Sequence, residues 1–139
     1  MCMTLRPYQK LIVWKEADDL CAFTYEVTKH FPEEEKYGLI KQMRRSSASI
    51  PTNIVEGNSK RTVKDKKNFM TTALASLDEL HYQYHLSLRL KYIDQCTFDQ
   101  ANDRIQRVGY LLAKLRNAVV VHHDSPSYSS NSSHSSQLP

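Results

Sequence analysis

Between residues 98 and 119 the apolar side chains recur at alternating steps of three and four residues, and no other feature constrains the fold as strongly. This spacing places apolar side chains along one face of an α-helix, whereas a half-buried strand would alternate every second residue. A helix with one apolar face must bury it against other elements. The stripe consists of Phe98, Ala101, Ile105, Val108, Leu112, Leu115 and Val119.

Three earlier segments share this helical period. The first predicts a helix over residues 12–29, the second a helix that starts at Pro32 and is capped by Gly57, and the third a helix from Thr62 to about Lys91. Pro51 falls inside the second helix, where proline removes one backbone hydrogen bond, so we expect a kinked but continuous helix. Thr97 with Gln100 forms a capping box that is predicted to open the fourth helix.

Four amphipathic helices joined by short loops predict an all-α, up-down-up-down antiparallel four-helix bundle. The scarcity of glycine, with three residues in 139, also disfavours a β-rich fold with its tight turns. The predicted bundle spans residues 11–121 and follows an N-terminal extension, residues 1–10. Residues 122–139 are rich in serine and almost free of apolar side chains, so we expect this tail to be disordered.

The sequence carries no signal for secretion or membrane insertion. The longest apolar run is four residues, Leu11 to Trp14, far short of the roughly 20 that a membrane span needs. Three scattered cysteines are typical of a reducing compartment. We therefore expect a cytoplasmic protein that does not contact membranes.

Positive charge is concentrated in one part of the chain. Residues 41–67 contain eight basic residues against two acidic ones, whereas the whole chain has a net charge of +4. Five of these cations surround the start of the third helix, where the helix macrodipole disfavours positive charge and the terminal amides favour anions. They could be a solvated cap or a site for a polyanion, and we expect nucleic-acid binding at Lys60, Arg61, Lys64, Lys66 and Lys67.

Arg44 and Arg45 allow two interpretations. If the second and third helices form a hairpin, residue 45 lies opposite about residue 76, within reach of Asp78 or Glu79. A structural ion pair of Arg45 with one of these carboxylates would then explain at least one arginine. The alternative is that Arg44 and Arg45 bind phosphate together with the cations near residue 60.

The first helix has more apolar surface than one bundle core requires. Trp14, Cys21 and Tyr25 lie on a face beside the main stripe. This second face is predicted to be an oligomer interface, or else the surface for a different protein partner.

No catalytic or cofactor motif is present. His81 and His85 have the spacing of half a zinc site, but no other helix supplies matching ligands, so we predict no metal site and no cofactor. Patterns of nucleophilic hydrolases and nucleotide-binding loops are absent as well. We expect a protein that is not an enzyme.

Three stretches together resemble a known bacterial family. They are Leu11 to Lys15 with Phe31-Pro32, the long segment from Gln42 to Gly57, and Ala75 to Leu80. The chain is similar over residues 11–121 to four-helix-bundle proteins encoded in 23S rRNA intervening sequences. The resemblance implies a homopentameric ring with a basic surface, and a distant likeness to the accessory variability determinant of diversity-generating retroelements, which works with RNA.

These observations together predict a homo-oligomeric binding protein with a basic tip that attracts RNA or DNA weakly and with little sequence preference. The alternative is a scaffold or assembly adaptor that binds another protein through Trp14, Cys21 and Tyr25 and has no nucleic-acid role.

Overall fold

The computed structural model describes the backbone of residues 4–135 and the side chains of residues 4–119. Four α-helices account for most of it: α1 (Ile12–Thr28), α2 (Leu39–Ser59), α3 (Val63–Arg89) and α4 (Gln95–Ser135). Short 3-10 helices lie at Pro7–Lys10 and Glu33–Glu35, and the described backbone contains no strand. The predicted all-α class is confirmed.

The four helices pack in a ring, each against two neighbours. Neighbouring helices run antiparallel, as their side-chain contacts show. Thr28 of α1 contacts Arg44 of α2, while Cys21, one to two turns earlier on α1, contacts Ser47, further along α2. In the same way Ser46 and Ser49 of α2 contact Gln83 and Ser76 of α3.

The core contains the stripes that the periodicity predicts. The largest fully buried apolar side chains come from all four helices and are Leu20, Met43, Ile50, Leu80, Tyr84, Val108 and Leu112. Tyr84 can be buried because its hydroxyl donates to Thr24 Oγ1 at 2.8 Å, while Thr24 donates to the Leu20 carbonyl. Burial raises the pKa of Tyr84, so the phenol stays neutral.

Helix α2 begins seven residues later than the predicted start at Pro32, so this prediction is wrong. Glu33–Glu35 form a 3-10 turn, and the residue before the helix is Gly38, with φ −107° and ψ −110°. The Glu35 carboxylate accepts from the Leu39 amide at 3.0 Å and from the Tyr92 hydroxyl at 2.7 Å. Glu35 therefore caps α2 from outside the helix and ties its start to the loop before α4.

The end of α2 also differs from the prediction. The helix is continuous through Pro51, as expected, but it ends at Ser59 and its cap residue is Lys60. Gly57 is not the cap. It is buried inside the last turn, where a Cβ atom would lie 3.0 Å from Phe69 Cβ, so glycine permits close contact between α2 and α3.

The predicted start of α3 is confirmed, because the Thr62 side chain accepts a hydrogen bond from the Asp65 amide at 3.1 Å. The predicted start of α4 at Thr97 is wrong. Asp94 Oδ1 accepts from the Thr97 amide at 2.8 Å, so the cap lies three residues earlier and the helix begins at Gln95.

Helix α4 is longer than the bundle requires. Its backbone is helical to Ser135 and so enters the serine-rich segment. Side chains from residue 120 onward lie outside the described residues, as do residues 136–139 altogether, and the disorder expected for residues 122–139 stays a prediction. Within the described helices, none combines the length and the apolar character needed to cross a bilayer.

Candidate functional site

The five cations predicted near residue 60 lie together at one end of the bundle. We call them the basic tip: Lys60, Arg61, Lys64, Lys66 and Lys67. Lys60 caps α2, and the others lie in the connection to α3 or in its first turns. All but Lys66 are exposed to solvent. Their positive charges therefore face outward at the amino-terminal end of α3, where helix amides attract anions.

Local contacts hold the backbone and two side chains of the basic tip in place. Thr62 caps α3, and the Lys66 ammonium donates to the Asn58 carbonyl at 3.3 Å across the turn. The Lys60 ammonium lies over the Phe69 ring, 5.3 Å from its centroid. The turn is thus closed by contacts that leave the cationic groups unneutralised.

No carboxylate neutralises the basic tip among the side chains that the structure describes. The ion pairs within 4.0 Å in that part of the chain are Lys29 with Glu26 at 2.8 Å and Arg107 with Glu16 at 3.4 Å. Asp65 is the one acidic residue in the segment 60–67. This end of the bundle therefore has a net positive field available to an external polyanion.

Arg44 and Arg45 do not join the basic tip. They lie near the opposite end of α2, and the 15 residues between Arg45 and Lys60 correspond to about 22 Å of helix. Instead both arginines line an open groove between α1 and α2. The prediction that one site contains all seven cations is not met by this geometry.

The predicted ion pair of Arg45 with Asp78 or Glu79 is not formed in the described structure. The register of the α2–α3 hairpin explains why. Ser46 contacts Gln83, whereas the sequence estimate set residue 45 opposite residue 76. This contact and that of Ser49 with Ser76 show that the hairpin is displaced by one to two turns, and Arg45 is exposed on the groove side of α2.

Arg44 has a structural role, but its partners are on α1 and not on α3. Its Nε donates to Thr28 Oγ1 at 2.9 Å, its Nη2 donates to the Tyr25 carbonyl at 3.3 Å, and its guanidinium stacks on the Tyr25 ring at 4.7 Å. The Lys29 amide donates to Glu26 instead of Tyr25, which leaves the Tyr25 carbonyl for Arg44. A cation is also favoured at this carboxyl end of α1.

The second face of α1 is covered in part by the chain itself. Trp14 is half-buried and meets Tyr8 of the N-terminal 3-10 helix edge-on, with ring centroids 5.0 Å apart. Cys21 is half-buried and accepts from Ser47 Oγ at 3.7 Å. Tyr25 is 41% exposed beneath Arg44. The surplus apolar surface on which the oligomer prediction rests is therefore smaller than the sequence indicates.

Reactive groups are few in this structure. Burial raises the pKa of the Cys21 thiol, which disfavours the nucleophilic thiolate. His81 is exposed and lies 6.2 Å from the Phe98 ring, centroid to centroid. Among the described residues, no three His, Cys, Asp or Glu side chains converge to hold a metal ion.

The sequence matches one protein-family model. The family model described as 23S rRNA-intervening sequence protein matches residues 9–114, about three quarters of the chain. The chain belongs to this family. The resemblance noted in the sequence is confirmed, and the matched range contains α1, α2, α3, most of the bundle portion of α4, and the whole basic tip.

One solved structure shows the same fold as this 23S rRNA-intervening sequence protein. It is the crystal structure at 1.70 Å of a protein with unknown function from the S23 ribosomal protein family of Bacteroides thetaiotaomicron. The TM-score is 0.71 at 24% sequence identity, and the alignment covers 76% of this chain and 96% of the other. No curated protein matches the chain. The likeness supports the four-helix architecture alone.

The groove beside Arg44 includes residues that the sequence analysis did not single out as a site. Lys36 and Tyr37 line it together with Ile40. Lys36 falls inside the second helix as predicted from Pro32, whereas it lies in the connection before Gly38. In the sequence, Gly38 directly after Lys36-Tyr37 was the feature that could have indicated a loop before α2.

Proposed function

We propose that this protein is a cytoplasmic, non-enzymatic and homo-oligomeric nucleic-acid-binding protein whose basic tip attracts the phosphate backbone. The observation that carries the proposal is the set of five cations gathered at one end of the bundle, with no described carboxylate within 4.0 Å of any of them. Outward-facing charge of this kind binds polyanions by releasing their counterions and reads no bases.

The position of the tip adds to this argument. Lys64, Lys66 and Lys67 lie in the first turns of α3, where the macrodipole makes a cation unfavourable. These cations therefore lower the stability of the chain by itself, and an anionic partner that neutralised them would remove this cost. The first turn of a helix also leaves backbone amides without helical partners, and those of α3 offer further donors to phosphate oxygens beside these cations.

Assembly would multiply a weak site. A shallow apolar groove of about 280 Å³ lies between the start of α1 and α4, and is lined by Leu11, Ile12, Leu111 and Leu115 among others. Ile12 is 58% exposed there. We propose that this groove contributes to the oligomer, which the family resemblance implies is a pentameric ring. Several tips on one particle would raise the avidity for a long polyanion.

The protein-scaffold alternative depended on the face formed by Trp14, Cys21 and Tyr25. The chain's own Tyr8, Ser47 and Arg44 contact these three side chains. Less of this face is therefore free to bind a protein partner than the sequence indicates, and nucleic-acid binding is the function we favour.

The test compares two quadruple variants with equal loss of charge. The tip variant replaces Lys60, Arg61, Lys64 and Lys67 by alanine, and the control replaces the exposed cations Lys10, Lys15, Lys29 and Arg89. Binding of labelled RNA and DNA is measured by anisotropy at about 50 mM salt. We expect the tip variant to lose most of the affinity for every sequence and the control to retain most of it. Equal losses would show that overall charge, and not the tip, attracts the nucleic acid, and absence of wild-type binding would contradict the proposed function.

A further inference from the structure

A groove at the other end of α2 combines cations with exposed aromatic rings. It has a volume of about 600 Å³ and lies between the carboxyl-terminal part of α1 and the first turns of α2. We call it the α1–α2 groove. Its charged and aromatic lining consists of Tyr25, Lys36, Tyr37, Lys41, Arg44 and Arg45, with Ile40 as the aliphatic member.

Of the acidic residues close in sequence, Glu26 and Glu35 have partners of their own, and Glu33 and Glu34 lie exposed in the 3-10 turn before Lys36. The Glu35 carboxylate is held by the Leu39 amide and the Tyr92 hydroxyl, and Glu26 pairs with Lys29. Within residues 4–119, none of the four cations of the groove lies within 4.0 Å of a carboxylate oxygen. The groove therefore presents four positive charges to whatever enters it.

One of these cations is held in a fixed position. The two hydrogen bonds of Arg44 to Thr28 and Tyr25 use two of the five N–H donors of a guanidinium. Thr28 is itself immobilised, because it is buried and its hydroxyl donates to the Thr24 carbonyl at 2.8 Å. The remaining donors of Arg44 are thus available on a preorganised, half-buried side chain, a geometry that favours phosphate recognition.

Tyr37 supplies a ring that the chain leaves uncovered. It is 80% exposed, more than any other large hydrophobic side chain that is described as exposed. Its one described partner is the Lys36 ammonium, 5.6 Å from the ring centroid. An exposed ring next to several cations is the combination by which proteins hold unpaired bases, since every base has a face that can stack.

We propose that the α1–α2 groove binds unpaired nucleotides of a single strand, with a base stacked on Tyr37 and phosphates held by Lys41, Arg44 and Arg45. This inference rests on the proposed function and extends it, because the basic tip alone would not distinguish a single strand from a duplex. A duplex hides its base faces from Tyr37. An acidic peptide would use the cations but would give the ring no flat partner.

The experiment measures anisotropy with a labelled RNA strand of about 12 nucleotides and with the matched duplex, using the full chain. Tyr37→Ala should weaken single-strand binding about tenfold and leave duplex binding unchanged, while Tyr37→Phe, which keeps the ring, should bind like the wild type. Tyr110→Ala is the matched control, because Tyr110 is 64% exposed on α4 and lies outside the groove. Arg45→Ala should weaken single-strand binding several-fold.

Three results would overturn the proposal. They are an unchanged single-strand affinity in Tyr37→Ala, an equal loss for strand and duplex, or a loss of the same size for a labelled polyglutamate peptide. In each of these cases the proposed function would still hold if the wild type binds the duplex and this binding depends on the basic tip. If the wild type binds neither strand nor duplex, both proposals fail together. Thermal melts that match the wild type confirm that the variants fold.

Discussion

At the residue scale, Arg44 shows how one side chain can join two helices without an ion pair. It satisfies the Tyr25 carbonyl at the end of α1 and fixes the Thr28 hydroxyl. The sequence left open whether the two adjacent arginines are structural or bind phosphate, and its structural interpretation paired Arg45 with α3. In the structure the arginine with structural contacts is Arg44, and these contacts are with α1. Its partners could not be predicted, because they are a backbone carbonyl and a hydroxyl whose availability depends on how α1 ends.

The two arginines are therefore expected to differ in their effect on stability. Arg44→Ala should lower the free energy of unfolding by about 1–3 kcal/mol, because it removes two charge-assisted hydrogen bonds and leaves the Tyr25 carbonyl with one donor fewer. Arg45→Ala, at an exposed position, should change it by less than about 0.5 kcal/mol. Urea unfolding of both variants measures this difference. Equal effects would mean that the contacts of Arg44 with α1 do not persist in solution.

At the element scale, α2 and α3 approach closely because small side chains line their contact. Ser46, Ser49 and Gly57 of α2 face Gln83, Ser76 and Phe69 of α3. Hydroxyls in this contact also bond within their own helix, as Ser46 does to the Gln42 carbonyl at 2.8 Å. Small residues thus allow the short distance between the helices, and the hydrogen bonds of Ser46 with Gln83 and of Ser49 with Ser76 fix their register.

Two glycine substitutions test this description of the contact. Gly57→Ala would bring a Cβ to 3.0 Å from Phe69 Cβ, which is bonded directly to the backbone and cannot easily move. We expect a net destabilisation of about 1 kcal/mol, because overpacking outweighs the helix propensity gained from alanine. Gly109→Ala meets only the flexible end of Leu77, at 3.2 Å, and should be neutral or stabilising. Chemical denaturation measures the free energy of unfolding of both variants. If Gly109→Ala were the more destabilising of the two, α2 and α3 would be packed less tightly than described.

The sequence predicts the elements well and their ends less well. Periodicity alone predicts four helices, because each stripe must be buried whatever its partners are. The predicted starts of α2 and α4 are wrong because both helices are capped by carboxylates, those of Glu35 and Asp94. The sequence patterns used for the prediction, proline at a helix start and a threonine capping box, point to other residues. For the candidate site, the basic tip follows from local charge density, whereas the α1–α2 groove depends on the later start of α2 and the α2–α3 register, which sequence patterns did not provide.

At the scale of the whole molecule, the bundle places its charged and apolar surfaces on different pairs of helices. The basic tip lies at one end of α2 and the α1–α2 groove at the other, while the apolar groove lies between the start of α1 and α4. The apolar groove lies at the same end of the bundle as the basic tip, because α1 and α2 are antiparallel, but the three surfaces share no lining residue. This separation would allow the chain to assemble through one surface and bind a polyanion through the others.

The assembly part of this account predicts that the start of α1 is an interface. Ile12→Glu should shift the protein from an oligomer to a monomer of 16.1 kDa, since burying an unpaired carboxylate in an apolar contact is unfavourable. Tyr82→Glu on α3 is the control, because Tyr82 has the same exposed fraction as Ile12, 58%. Light scattering at micromolar concentration measures the mass. A wild type that is already monomeric would contradict homo-oligomerisation, and an unaffected oligomer in Ile12→Glu would place the interface elsewhere.

The central claim is that the basic tip binds phosphates by counterion release, and the salt dependence of binding tests it most directly. Neutralising about four phosphates per engaged tip should make log K fall against log salt with a slope near −3 for a single strand and near −4 for B-form DNA, and more steeply if several tips engage or if a single strand also enters the α1–α2 groove. The tip variant should bind more weakly and with a clearly flatter slope, while the control variant with equal net charge keeps the wild-type slope. Identical slopes for the wild type and the tip variant would contradict the account, because the phosphates would then be contacted elsewhere on the molecule.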